Sequence, residues 1–251
     1  MPCTFRHWET ARPIAKNISG TASANMPVFA LNDSLTFPPP QLARADGLLA
    51  IGGDLSPERL LLAYRLGIFP WYGPGEPLLW WTPDPRLVLF PAELRISRRL
   101  ERTIRRGKFH VTYDRDFAQV IHLCGETRRE SGTWLNPQLI EAFCRLHRMG
   151  FAHSVECYLG DQLVGGLYGL ALDRIFFGES MFSLVSDSSK VALAGLVEKL
   201  TARNYVAIDC QVRTNHLLSM GAREISRDHF LGVLREEIHI VAPDDPWDKL
   251  P

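Results

Sequence analysis

The sequence lacks the features that would mark most specialised classes of protein. Its five cysteines, Cys3, Cys124, Cys144, Cys157 and Cys210, are odd in number and irregularly spaced, so they suggest neither a disulfide framework nor a Cys-x-x-Cys metal pair. No signal-like apolar core opens the chain, and the two absences together point to a reducing, cytoplasmic home. No run approaches the roughly 18 apolar residues that a membrane helix needs. An excess of one charge is missing too: Lys+Arg and Asp+Glu each number 28. A nucleic-acid partner would therefore have to be met by a local basic patch, because counterion release depends on charges placed along the phosphates. The eight histidines have no ligand spacing, such as two on one helix face beside an acid, so no metal is expected. There is no Gly-x-Ser-x-Gly elbow. Gly165-Gly166-Leu167-Tyr168-Gly169 falls inside an expected strand instead of following one and opening a helix, which makes it a poor phosphate loop.

What is present is globular. Hydrophobic residues make up 46% of 251, enough for one large domain or two smaller ones. Residues 1–25 have neither an apolar core nor periodicity and read as a disordered extension; Met26 opens a more ordered sequence. Residues 26–84, dense in Pro, Gly and Trp, read as a small, turn-rich domain. Phe37-Pro38-Pro39-Pro40 is expected to be extended, since proline fixes φ and restricts its predecessor. One helix is marked by Ser56 as cap, Pro57 in the first turn, Leu60, Leu61 and Tyr64 on its apolar face, and Gly67 at its end. Pro83-Asp84-Pro85 is the expected joint to residues 85–251. There, helical periodicity covers 97–106 and 136–149. Apolar runs at Ala152–Tyr158, Leu163–Leu172 and Arg174–Phe177, separated by short turns, predict antiparallel hairpins. A helix near Ser188–Arg203, a strand Tyr205–Val212 and short helices near Thr214–Met220 and Arg227–Ile238 complete an α+β pattern.

Three groups of residues could carry chemistry. In Ile208-Asp209-Cys210-Gln211, strand alternation would put Asp209 and Gln211 on one face, with Cα atoms roughly 6.5–7 Å apart. An acid and an amide leaving an apolar strand together are costly to bury unless paired, although a strand end entering solvent fits the pattern too. Glu179 lies in Gly178-Glu179-Ser180-Met181-Phe182, where desolvation would raise its pKa and a cationic substrate would lower it; an exposed turn acid is the alternative. Arg95, Arg98, Arg99, Arg102, Arg105, Arg106 and Lys108 form a basic stretch that could track phosphates or simply solvate a helix face. Trp71, Trp80, Trp81 and Trp134 could stack on bases or fill the core. Cys210 shares neither a face nor an obvious base with a histidine, which favours a structural thiol.

Taken together, Asp46-Gly47-Leu48-Leu49-Ala50-Ile51-Gly52-Gly53-Asp54-Leu55-Ser56, Gly67-Ile68-Phe69-Pro70-Trp71, Trp80-Trp81-Thr82-Pro83-Asp84-Pro85-Arg86, Gly132-Thr133-Trp134, Gly178–Phe182 and Ile208–Gln211 resemble the leucyl/phenylalanyl-tRNA–protein transferases. The resemblance runs from about Phe37 to Ile238. It implies an α+β fold with a small N-terminal domain and a C-terminal domain of GNAT-like (acyl-CoA N-acyltransferase) fold. It also implies transfer of Leu, Phe or Met from aminoacyl-tRNA to proteins beginning with Arg or Lys, marking them for the N-degron pathway, with no cofactor. By the same resemblance, Asp209 and Gln211 match the catalytic pair and Glu179 the acceptor-side acid. Trp71 and Trp134 match aromatics near the tRNA 3′ end. Leu167, Phe176, Met181, Leu193, Leu196 and Ile208 fall where the family lines its apolar amino-acid pocket; Leu167 stands where relatives can carry the nearly isosteric Met. A monomer is expected. An acyl-CoA-dependent enzyme of the same fold is the nearest alternative, but Ser183–Lys190 lacks the glycines of a pyrophosphate loop. An RNA- or peptide-binding module without catalysis is another.

Overall fold

The computed structural model describes residues 27–127, 135–239, 242–243 and 247. Along the chain it forms β1 (Phe29–Leu31), β2 (Leu48–Gly52), α1 (Pro57–Arg65), β3 (Phe69–Pro70), β4 (Leu79–Trp81), β5 (Arg86–Leu89), α2 (Arg98–Arg105), β6 (His110–Tyr113), α3 (Phe117–Glu126) and α4 (Pro137–Arg148). Then come β7 (Ala152–Leu159), β8 (Gln162–Leu172), β9 (Ile175–Ser183), α5 (Ser188–Ala202), β10 (Ala207–Asp209), α6 (Asn215–Ser219), β11 (Arg223–Ile225) and α7 (Arg227–Glu237). The expectation for 1–25 lies outside the described residues.

Helix starts follow local chemistry. Ser56, Ser97, Asp116, Asn136, Thr214 and Ser226 each accept a hydrogen bond from the backbone N–H three residues on, satisfying a donor that the helix itself leaves unpaired. Gly67 ends α1 at φ 72°, and a Cβ there would lie 2.8 Å from Leu231 Cδ2. Only glycine allows both that backbone turn and the close approach of α7.

The strands make two sheets, one four-stranded in the order β1-β2-β4-β3 and one seven-stranded in the order β11-β5-β10-β9-β8-β7-β6. In the larger sheet β7, β8 and β9 form the expected antiparallel meander, and α5 then returns the chain so that β10 runs parallel to β9. One apolar cluster joins α1, the small sheet, α3, α4 and α7 to one face of the large sheet, with Tyr64, Phe177 and Phe230 inside it. The second cluster packs α5 on the other face, through Leu193, Leu196, Phe176 and Ile208.

Two boundaries depart from expectation. β9 extends to Ser183 instead of stopping at Phe177: its far end is polar in sequence but still paired with β8. β10 covers only Ala207–Asp209 of the expected Tyr205–Val212, because the chain turns at Gln211, whose φ is 53°.

Candidate active site

The parallel pairing of β9 and β10 ends at Phe177–Asp209. From there β9 continues beside β8 alone to Ser183, so the two strands part, and the polar residues gather at the parting. β9 carries an irregularity here: Tyr168 pairs with Ser180 and Gly169 with Gly178, leaving Glu179 as the extra residue of a β-bulge. A bulge re-aims a side chain out of the regular alternation. Glu179 Oε1 accepts a 2.7 Å hydrogen bond from the hydroxyl of Tyr64 on α1. It also accepts a longer one, 3.4 Å, from Gln211 Nε2.

Gln211 is held by its backbone. Its N–H donates to Asp209 Oδ1 at 3.0 Å, and Val212 N–H donates to Cys210 O at 2.7 Å. The result is a γ-turn centred on Gln211. A side-chain-bearing residue in this left-handed region carries strain of about 1–3 kcal/mol, a cost concentrated at functional sites. Asp209 and Gln211 therefore do not sit side by side along a strand as alternation predicted: the strand ends at Asp209, and its carboxylate meets the backbone of Gln211 across a turn.

Asp209 is fully buried, and it is paired. Arg86, at the start of β5, donates from Nε to Oδ1 at 2.8 Å and from Nη2 to Oδ2 at 2.6 Å. The guanidinium is itself 1% exposed and lies over the rings of Phe69 and Phe230, 4.7 and 4.9 Å from their centroids. Tyr64, Glu179, Gln211, Asp209 and Arg86 thus form one connected group, built from α1, β5, β9 and the end of β10.

Burial dominates the electrostatics. Glu179 is half-buried as a residue, but desolvation of its carboxyl pushes the pKa up to about 8; the Tyr64 hydrogen bond and Arg86 act to lower it, and Asp209 to raise it. The Tyr64 phenol is raised well above its ordinary value by burial and by the neighbouring Glu179. Burial also pushes the Cys210 thiol far up, which favours the inert thiol over a nucleophile.

The six apolar residues expected to form one pocket do meet. Leu167, Phe176, Leu193, Leu196 and Ile208 are buried in the cluster beneath α5, and Met181 packs against it. That cluster lies on the face of the sheet opposite Tyr64. Met181 follows Glu179 by two positions and Ile208 precedes Asp209, so the two groups adjoin at the parting of β9 and β10.

The remaining expectations fare differently. Trp71 is half-buried, in edge contact with Trp81 at 5.9 Å, and its carbonyl accepts from Trp81 Nε1 at 2.6 Å; Trp80 is wholly buried. Trp134 lies outside the described residues. Arg95, Arg98, Arg99, Arg102, Arg105, Arg106 and Lys108 are all exposed. Arg99, Arg102, Arg106 and Lys108 line a concavity of about 450 Å³ with Thr103, Phe109, Ser186 and Asp187. Arg95, Arg98 and Arg105 fall outside its lining. Asp187 stands before the first turn of α5, 3.5 Å from Arg99. A carboxylate there opposes the use of that helix start as an anion cradle. No group of three or more His, Cys, Asp or Glu among the described residues is placed to hold a metal, and none of the described helices is long and apolar enough to cross a membrane.

Sequence reasoning gave no role to Arg86 or Tyr64. Signals existed for both. An arginine opening the apolar strand Leu87–Leu89 demands a buried acid, and a tyrosine on a buried helix face demands a partner for its hydroxyl.

A meander, a crossover helix and a diverging parallel strand make an α+β fold with a buried acid and an amide gathered where the strands part. Comparison with known proteins makes this specific. Residues 88–235 match the family model "Leucyl/phenylalanyl-tRNA protein transferase", and residues 53–84 match that of its N-terminal domain. The leucyl/phenylalanyl-tRNA–protein transferase of Syntrophobacter fumaroxidans is 59% identical over 89% of this chain and 96% of its own. That of Desulforapulum autotrophicum is 53% identical over 88% of this chain and 98% of its own. Among solved structures, a GCN5-related N-acetyltransferase from Kribbella flavida is 10% identical, with a TM-score of 0.34, over 68% of this chain and 61% of that one. The chain belongs to the leucyl/phenylalanyl-tRNA–protein transferase family and is an aminoacyltransferase.

Proposed function

We propose that this chain transfers Leu, Phe or Met from aminoacyl-tRNA to the α-amino group of proteins that begin with Arg or Lys, marking them for degradation by the N-degron pathway in the cytoplasm. It acts as a monomer, with residues 26–84 as a small domain that supplies Tyr64 and residues 85–251 as the transferase domain. The observation that carries the reading is the contact of Glu179 with Gln211 and Tyr64 beside the apolar cluster. Incubating labelled Leu-tRNA with an Arg-initiated and a Glu-initiated peptide tests it. Label should pass to the first and not to the second; absence of transfer to the Arg peptide overturns the reading.

The donor is an ester already activated on the ribose, so the protein has chiefly to align ester and amine, an effect that can supply roughly 7–11 kcal/mol. An α-amine has an unperturbed pKa of about 7.7–8.0. The Glu179 carboxyl, at about 8, is matched to it, so a proton can pass between them with little penalty. Glu179 receives the cationic end of the acceptor, and Gln211 orients the attacking amine. Asp209, already neutralised by Arg86, positions Gln211 and is not itself the base.

Donor choice falls to the cluster of Leu167, Phe176, Met181, Leu193, Leu196 and Ile208. Leu, Phe and Met are unbranched at Cβ, and one methylene discriminates by about 1–3 kcal/mol. Leu196→Ala should raise use of Trp-tRNA relative to Leu-tRNA while leaving the KM of an Arg peptide unchanged, as read by single-turnover transfer. Trp71 and Trp134 are assigned to the tRNA 3′ end on the family motifs that contain them. The basic stretch of Arg95, Arg98, Arg99, Arg102, Arg105, Arg106 and Lys108 holds the tRNA backbone, with Arg99, Arg102, Arg106 and Lys108 around the concavity. Reversing Arg102, Arg106 and Lys108 to Glu should weaken tRNA binding and flatten the slope of log K against log salt by about 0.7–0.9 per lost phosphate contact, measured by filter binding from low to moderate salt.

A further inference from the structure

Trp247 lies twelve positions beyond the end of the family match at residue 235, yet it is wholly buried in the cluster that holds Phe176, Leu193, Leu196 and Ile208. Its indole stacks on His153 with centroids 4.3 Å apart and planes at 8°. The ring of Phe176 meets the same indole at 5.6 Å, tilted by 32°.

The sheet beneath is bare by design of sequence. His153, Gly169 and Gly178 lie in register across β7, β8 and β9. A Cβ on Gly169 would come within 2.6 Å of Phe176 Cε1 and Cζ, so the Phe176 ring lies directly over that glycine. His153 is anchored in turn. Its Nδ1 is 2.7 Å from Asp114 Oδ2, and Asp114 Oδ1 accepts the Ser154 N–H at 2.8 Å. The Phe176 ring therefore has the glycine backbone below it and an indole, itself stacked on an anchored imidazole, beside it.

The geometry points to Trp247 as a specificity-determining residue that acts through Phe176: the C-terminal indole fixes where the aromatic wall of the donor recess stands, and so how large an acyl side chain the enzyme accepts. This rests on reading the cluster as the donor recess. Trp247 is a positioning residue, with no contact to the reacting atoms required. Removing the indole leaves a vacancy beside the Phe176 ring. The ring relaxes into it and the recess deepens toward larger donors, while Glu179, Gln211 and Tyr64, on the other face of the sheet, keep their places.

The experiment compares kcat/KM for Leu-, Phe- and Trp-charged tRNA with an Arg-initiated peptide, in wild type, Trp247→Ala, Trp247→Leu, Trp247→Phe and Leu196→Ala. Trp247→Ala is expected to raise the Trp-to-Leu ratio about tenfold at unchanged peptide KM, with Trp247→Phe restoring most of the discrimination. Trp247→Leu decides the matter in the same way should the alanine variant not fold. An unchanged ratio in folded Trp247 variants, with the ratio altered in Leu196→Ala, overturns the role of Trp247 and leaves the donor recess standing. Unchanged ratios in all variants overturn the recess itself. A fall in rate shared equally by every donor, or loss of the fold in all three Trp247 variants, also overturns the proposal by reducing the residue to core packing.

Discussion

Replacing Arg86 by Met should destabilise the protein by about 3–5 kcal/mol and slow transfer by about two orders of magnitude. The first figure follows from what is left behind. Asp209 is fully buried and takes two hydrogen bonds from Arg86, and removing one partner of such a pair strands the other charge in the interior. The second follows from geometry. Asp209 Oδ1 holds the N–H of Gln211 in its strained turn, and a displacement of about 1 Å at a positioned group can cost about 100-fold in rate. Asp209→Asn should behave similarly, with the double variant less damaged than the sum of the two because each removes the other's unpaired partner. Urea unfolding of the four proteins gives the coupling. Strict additivity would show that the pair contributes nothing as a pair. Near-normal transfer by a folded Asp209→Asn enzyme would remove the positioning role of Asp209.

Glu179→Gln should raise the KM for an Arg-initiated peptide by a factor of roughly 30 or more, corresponding to about 2 kcal/mol or more lost with one partner of a charge pair, with a smaller effect on donor choice. It should also change two pH profiles. In the wild type the free carboxyl has a pKa of about 8, so acceptor binding should strengthen as pH rises through that value; with Gln the profile should flatten. The stability profile runs the opposite way. The folded-state pKa lies above the ordinary carboxyl value of 4.5, so the folded protein keeps a proton that the unfolded chain has already lost. That contribution is complete below about pH 4.5 and is lost as pH climbs to about 8. Glu179→Gln should therefore stabilise the protein more at pH 8.5 than at pH 5, as read by thermal unfolding. Equal shifts at the two pH values would mean that the carboxyl is not desolvated.

Much of this was legible in the sequence, and the illegible parts have physical causes. The meander β7–β9 and helices α4, α5 and α7 are long enough for period and caps to register: Asn136-Pro137 marks the start of α4 and Ser226 that of α7. The strands of the small sheet are two to five residues long, too short for alternation to emerge among prolines and tryptophans. α3 could have been read, since Phe117, Val120, Ile121 and Cys124 are buried behind the Asp116 cap. At the site, Glu179, Gln211 and Asp209 stood out as polar residues in apolar surroundings. The pairing of Arg86 with Asp209, across 123 positions of sequence, and of Tyr64 with Glu179, across 115, could not be read, because nothing local encodes which distant polar group completes a buried one.

The single surplus residue in β9 sets the phase of everything beyond it. Phe177 faces α1 and Phe176 faces α5; after the bulge, Phe182 again faces the α1 side while Met181 lies on the α5 side. Were Glu179 drawn into regular alternation with β8, each later side chain would turn over and Met181 and Phe182 would trade surfaces; excising it would leave both on their present faces and remove the acid alone. The bulge therefore holds the acid outside the sheet's alternation: its loss would spare the packing and cost the chemistry, whereas one residue more elsewhere in β9 would need a second bulge to absorb it.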